Sequence, residues 1–272
     1  MTKIVLITGA SSGMGRAGAK LLAENGFRVY AASRDISKLV NLNHSNIIPI
    51  SLDITSQKSI DAVVEKIVQK EKKIDVLVNN AGYGLVSSVE NFQEDEMLNQ
   101  FNVNVFGILR VTKAVVPHMR KEKYGIIINI SSFLGKIGLP LFTLYNASKY
   151  AVEGITDSLR YELNTFNIRV HSILPGFFDT EFARKNLVTN IETLDVNSVY
   201  SELVSQLIPK IMEQINGGND ANDVAKLILK IIQDEKFPAR TTVGDKAKKF
   251  IPMRKELSDE DFERRVKEYY GI

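Results

Sequence analysis

The stretch KIVLITGASSGMG, residues 3–15, decides how this chain is read. Lys3–Thr8 is a short run rich in Ile, Val and Leu, the composition of a buried strand. Glycines follow at positions 9, 13 and 15, and a helical pattern then runs through Leu21 and Leu22 to the stop signal Asn25-Gly26. A strand that breaks into a glycine-rich turn and opens a helix has a physical use. Glycine lets the backbone turn tightly and approach a phosphate, and the helix N-terminus offers free N–H groups and a positive dipole end. The spacing is G-x-x-x-G-x-G rather than the commoner G-x-G-x-x-G, so the strand–turn–helix context carries the nucleotide reading more than the glycines alone.

Outward from this turn, strands and helices alternate. Arg28–Ser33, Asn46–Ser51, Ile74–Asn79, Gly125–Ser131 and Ile168–Leu174 read as strands two to six, and Pro49 marks the third as irregular or edge-like. Helical patterns cover 56–72, 94–119 and 143–165. Val/Ile/Leu-rich strands separated by helices predict an α/β fold, a Rossmann-type doubly wound parallel sheet with right-handed crossovers. After Pro175-Gly176 the alternation breaks. Residues 179–216 read as two helices of a small helical insertion after the sixth strand, and 179–218 as a substrate lid. Asp220–Gln233 reads as a helix, Thr241–Gly244 as a last short strand, and 245–272 as a charged C-terminal tail with short helices. No linker divides the chain, so residues 1–272 are expected to form one domain.

Composition narrows the function classes. The chain has 272 residues, a 44% hydrophobic share and a net charge of +3, too mild to predict nucleic-acid binding or membrane attraction. The absence of cysteine excludes disulfides, thiolate metal sites and cysteine nucleophiles. No apolar run is long enough for a spanning helix and no signal peptide opens the chain, so a cytoplasmic protein is expected. His44, His118 and His171 lack ligand spacing and read as ordinary surface or strand residues, so no metal is assigned.

Charge at the end of the second strand bears on the nucleotide. An acidic side chain there suits a ribose 2′-hydroxyl and a basic one suits a 2′-phosphate. Here the strand ends Ala32-Ser33-Arg34, and the glycine turn adds Arg16. Two guanidiniums favour NADP(H) over NAD(H), against the competing carboxylate of Asp35.

YNASK, residues 145–149, places a phenol and an ammonium one helical turn apart. Taken with the segments around it, the chain resembles the short-chain dehydrogenase/reductase family of the single-domain kind. TGASSGMG resembles that family's cofactor turn, which assigns Gly9, Ser11, Ser12, Gly13, Met14, Gly15 and Arg16 to the cofactor, with Ser33 and Arg34 beyond the second strand. LDIT resembles the adenine-side segment and brings in Asp53 and Ile54. NNAG at 79–82 resembles the segment after the fourth strand and brings in Asn80, Ala81 and Gly82. PGFFDT resembles the nicotinamide-carboxamide segment, with Pro175, Gly176, Phe178 and Thr180. The resemblance makes Asn104, Ser132, Tyr145 and Lys149 the active-site tetrad, Tyr145 and Lys149 also touching the cofactor. Ser132 rather than Ser131 stands at the family's spacing, thirteen positions before Tyr145. More weakly, RVYAASRD with TTVGDKA resembles the 17β-hydroxysteroid and retinol dehydrogenase-like branch.

The chemistry implied is hydride exchange between the nicotinamide and a secondary alcohol, ketone or aldehyde. A free tyrosine titrates at about 10 and is a poor base at neutral pH; a nearby ammonium is expected to lower that value. Ser132 would stabilise charge on the substrate oxygen, and Asn104 would hold a water linking Lys149 to solvent. The loops at the carboxyl ends of the strands carry Phe133, Leu141, Phe177 and Phe182, an apolar set that predicts a lipid, steroid, retinoid or xenobiotic carbonyl as substrate. Helices 94–119 and 143–165 are expected to form a homodimer or homotetramer interface, as in the family. Two alternatives are weighed: an NADP-binding redox sensor without turnover, disfavoured by the complete tetrad, and an NAD-dependent dehydrogenase of a small polar alcohol.

Overall fold

The computed structural model describes residues 2–180 and 187–272. Strand β1 (Ile4–Thr8) leads through the glycine turn into helix α1 (Gly13–Glu24), then β2 (Arg28–Ser33), β3 (Ile47–Ser51), α2 (Gln57–Glu71), β4 (Val76–Asn79) and the short β5 (Gly84–Val86). Next come α3 (Glu94–Phe101), α4 (Gly107–Glu122), β6 (Gly125–Ile130), α5 (Thr143–Asn164) and β7 (Ile168–Pro175). The remaining chain forms β8 (Phe178–Asp179), β9 (Leu187–Thr189), α6 (Ser201–Asn216), β10 (Asn219–Asp220), α7 (Ala221–Gln233), β11 (Arg240–Val243), α8 (Asp245–Glu256) and α9 (Asp259–Tyr270).

The main sheet has strand order β3-β2-β1-β4-β6-β7-β11, every neighbour parallel. Alternation along each strand builds two cores. Val5, Ile7, Val29 and Ala31 pack on one face against Leu22 of α1 and Ile228 of α7. Ile4, Leu6 and Tyr30 pack on the other against Ile60 of α2 and Val115 of α4. Burial on both faces explains why the strands read as continuous apolar runs. The expected doubly wound sheet is thus the observed one, and Pro49 lies on its edge strand, where a missing N–H costs least.

Three expectations change. The helix expected over 94–119 is two helices joined by a π-helical turn, Asn102–Phe106. Of the region expected to hold two helices, 181–186 lie outside the described residues; among the described ones there is one helix, α6, while β9 pairs with β5 and turns occupy much of 190–200. The expected tail is a packed part of the fold. Phe250 and Tyr270 are fully buried and join Phe133, Phe177 and Leu207 in a third core at the carboxyl ends of the strands. Its aromatic rings interlock: Phe133 meets Phe177 edge-on at 5.2 Å, and Phe250 stacks on Tyr270 at 6.2 Å. Ser258 accepts the Asp261 N–H at 3.2 Å and caps α9, as its position before an acidic first turn implies.

Candidate active site

The chain reverses direction across the sheet between β1 and β4, and the glycine turn sits at the carboxyl end of β1, the place where such sheets bind ligands. Gly9 adopts φ +67°, and a Cβ there would stand 2.8 Å from the Ala81 α-carbon. A side chain at Gly15 would strike Asn80 Nδ2 and come within 2.5 Å of the Gly9 carbonyl oxygen. Asn80 Nδ2 donates to the carbonyls of Thr8 and Gly9 at 3.0 Å each, while the Thr8 hydroxyl accepts from the Asn80 and Ala81 N–H groups at 3.0 and 3.1 Å. TGASSGMG and NNAG are therefore bound into one concave wall. Ser12 caps α1 without a side-chain bond, and no acidic residue stands in the first turn, so the helix start keeps its donors and its positive field.

The second strand ends as its sequence implies. Asp35 is turned away into its own loop, accepting from Ser37 N at 3.0 Å and Ser37 Oγ at 2.6 Å, and these bonds hold its carboxyl below the usual range. Arg34 is exposed, Arg16 is half-buried, and neither makes an ion pair among the described residues. Asp53 accepts from Thr55, which lowers its carboxyl, and Ile54 packs on Gly107. On the far side, a Cβ built on Gly13 would meet Thr180 at 3.3 Å, and Gly176 N–H donates to Val243 O at 2.8 Å. Phe178 departs from its neighbours: its ring is buried in the core beside α1 and α7, so it can offer a ligand only its backbone.

Asn104, Ser132, Tyr145 and Lys149 converge from three elements. Ser132 stands just past β6, where its Oγ accepts from Leu134 N at 3.1 Å and so keeps its own O–H free to donate to the Tyr145 hydroxyl. Ser131 points elsewhere, as strand alternation requires, with its Oγ beside Gly135. Lys149 Nζ donates to Ile130 O at 3.0 Å and lies 5.7 Å from the Tyr145 ring centre. Asn104 sits in the π-helical turn, where a widened backbone turns its amide toward the loop after β4. It accepts from Tyr83 N at 3.0 Å and donates to Tyr83 O at 2.8 Å and Ser148 Oγ at 3.1 Å. Both amide donors are thus spent, and only acceptor capacity is left for the expected water.

The site's electrostatics correct one expectation. Tyr145 is not lowered by Lys149; burial pushes it up to about 12, against a lowering contribution from Ser132. Lys149 is itself pulled down by burial, to about 8, with Glu153 pulling the other way. In this state desolvation outweighs the phenol–ammonium attraction because the ammonium is turned to Ile130 rather than to the phenol. A protonated phenol suits an acid that delivers its proton to a carbonyl oxygen.

Of the expected substrate residues, Phe133, Leu141 and Phe177 lie in the third core beside Tyr145; Phe182 lies outside the described residues. Phe133 is 1% exposed, clamped between Phe177 and Phe250, so it backs the site rather than facing solvent. Leu141 holds φ +64°, a left-handed conformation that costs a non-glycine residue about 1–3 kcal/mol. Its carbonyl accepts the Ser87 N–H at 2.8 Å, tying β5 to the start of α5. Residues that the sequence reading passed over also shape the site. Asn79 donates to Asn129 at 2.9 Å and Asn129 to Thr156 at 2.9 Å, locking β4, β6 and α5 together beneath the tetrad.

Comparison with known proteins agrees with this geometry. The family model for short chain dehydrogenase matches residues 3–190. The chain belongs to the short-chain dehydrogenase/reductase family. It is 37% identical over 242 residues to a 3-ketodihydrosphingosine reductase of Bacteroides thetaiotaomicron, covering 89% of this chain and 88% of the relative. A short-chain dehydrogenase from Streptomyces avermitilis superposes with TM-score 0.84 at 31% identity, over 99% of this chain and 96% of that one. A Burkholderia phymatum family member in complex with NAD has TM-score 0.80 at 25% identity, with 97% and 95% coverage. ElxO with NADP bound has TM-score 0.72 at 29% identity, with 89% and 96% coverage. This short-chain dehydrogenase/reductase is an oxidoreductase of carbonyl and alcohol groups, and no helix of its described residues is long and apolar enough to cross a membrane.

Proposed function

We propose that this short-chain dehydrogenase/reductase is an NADP(H)-dependent carbonyl reductase of apolar ketones or aldehydes, with Asn104, Ser132, Tyr145 and Lys149 as its catalytic group. The observation that carries the reading is the Ser132–Tyr145 pair, with Lys149 one turn on. The wall made by Gly9, Gly15 and Asn80 fits a dinucleotide, because the two glycines let the turn close against Ala81 and Asn80 while the start of α1 keeps its N–H groups for a pyrophosphate. Those residues would hold the dinucleotide, whose nicotinamide would supply the hydride chemistry. Ser132 donates to the carbonyl oxygen, Tyr145 delivers its proton to that oxygen, and the Lys149 ammonium offsets the negative charge left on the phenolate.

The finer parts of the reading rest on separate observations. NADP(H) is favoured by Arg16 and Arg34, free of ion pairs among the described residues, and by the withdrawal of Asp35 into its own turn. An apolar substrate is supported by Leu141 and Phe177 beside Tyr145, and by the lipid-like substrate named for the 37%-identical relative. Residues 179–218 would act as the lid. Exposed Phe106 and Leu109 on the α4 side and Tyr161 on α5 support a homo-oligomer. The lack of cysteine is compatible with the cytoplasm.

The test is absorbance of reduced nicotinamide with NADPH or NADH and a panel of carbonyls from small polar to large apolar, with Tyr145→Phe alongside. Turnover with NADPH on apolar carbonyls, lost in the variant, is expected. Equal turnover in Tyr145→Phe would overturn the assignment. Cofactor binding with no turnover on any carbonyl would favour a sensor.

A further inference from the structure

Lys149 is followed one helical turn later by a second buried charge. Glu153 is 2% exposed on α5, on the same face as Lys149. Buried carboxylates are expensive unless paired, so what holds this one is informative. Arg240 Nε from β11 pairs with Glu153 Oε2, and Lys136 Nζ, just before the Gly138–Phe142 loop, stands 3.4 Å from the same oxygen. Arg240 Nη2 also binds Asp157 at 2.9 Å, one further turn along α5. Both cations are about one-third exposed and both address Oε2, while Glu153 Oε1 is buried without a partner. A Cβ built on Gly135 would meet Ser131 Oγ, Lys149 O and Glu153 Cγ within 3.1 Å, so the carboxylate stem lies against the backbone of Lys149 itself.

We propose that Glu153 is a positioning residue whose buried carboxylate, anchored from β11 by Arg240, keeps Lys149 protonated at working pH. This rests on the reading of Lys149 as part of the catalytic group. Desolvation pulls a buried lysine toward the neutral amine, which could still donate at the Ile130 carbonyl but has no charge with which to support the phenol. The charged and titratable groups facing this pair are Tyr145 on α5, Lys136, Arg240 and Asp157. Of the two carboxylates, Asp157 is the more exposed and stands two helical turns from Lys149, whereas Glu153 is buried one turn away, so Glu153 is the anion that offsets the burial of Lys149. The arrangement gives the last strand a role: the Arg240 end of β11 holds the carboxylate in place from a position 87 residues away in sequence.

The test reads Lys149 directly, without turnover. The protein carries biosynthetic 13Cε-lysine, Lys149→Met assigns the signal, and the Lys149 midpoint is followed by NMR against pH. Glu153→Gln is expected to lower that midpoint by about one pH unit, and Glu153→Asp to restore most of it. In turnover the alkaline limb of the pH profile should move down by the same amount. Should Glu153→Gln not fold, Glu153→Leu is read in its place: it keeps an apolar stem without the charge, and Arg240 retains Asp157 as its partner. A Lys149 midpoint unmoved in whichever of these folds overturns the proposal, even if activity falls. A wild-type protein that turns over no carbonyl, with the midpoint still shifting, would sink the reductase reading and leave the Lys149–Glu153 coupling standing.

Discussion

The two halves of the site are built by different kinds of interaction. The proposed cofactor side is made of backbone held by short polar side chains: Asn80 Nδ2 and the Thr8 hydroxyl bond main-chain groups, and Gly9 and Gly15 allow close approach. The proposed substrate side is made of side-chain packing, with Phe133, Phe177, Phe250 and Tyr270 drawn from four separate segments. Backbone geometry restricts which residues are allowed at each position, so it leaves short, readable strings. Aromatic packing restricts only volume and shape, so it can be met by many sequences. One wall is therefore specified locally and the other by tertiary assembly.

The contrast can be tested from its largest consequence downward. Tyr145→Phe removes the proton and little else, so kcat should fall by about 10²–10⁴-fold while cofactor binding, followed by nucleotide fluorescence, stays near wild type. Phe250→Ala should cost about 3–5 kcal/mol of stability in a denaturant titration, because a fully buried ring leaves a cavity. If it costs under about 1 kcal/mol, the substrate side is not the packed wall described. Gly15→Ala should abolish dinucleotide binding and destabilise by about 1–3 kcal/mol, since its methyl group meets Asn80 and the Gly9 carbonyl. Arg34→Ser should weaken NADPH binding about tenfold and leave NADH nearly unchanged, by isothermal titration. The smallest effect concerns pH. His171 on β7 is buried, its Nε2 has no partner, and burial lowers its pKa from 6.5 despite a bond at Pro238 O. The folded chain thus resists a proton that the unfolded chain accepts, so stability is full above about pH 6.5 and declines as pH falls below it. His171→Gln should flatten the dependence of the urea midpoint on pH between 7 and about 5.

The same division explains what could be read in advance. The sheet was legible because each central strand is buried on both faces, and the nearness of Tyr145 and Lys149 because they are tied by one helical turn. The break at Asn102–Phe106 was not legible: a π-helical turn shifts the apolar period by one residue, too little to show in a helix this long. Tyr145 ionisation was misjudged because burial depends on the Phe142 ring and on the third core that Tyr145 joins, which spacing does not encode. The C-terminal segment read as a solvated tail because its charged residues outnumber the few that anchor it, Phe250, Phe262, Val266 and Tyr270. Glu153 and Arg240 gave no signal at all, since a buried ion pair between remote segments has no sequence spacing.

The packing of α9 has a practical consequence. Lys210 Nζ bonds the Tyr270 carbonyl, and Ile272 packs against the third core. Trimming α9 as a disposable extension would therefore pull Phe262, Val266 and Tyr270 out of that core and leave Phe250 without the ring it stacks on.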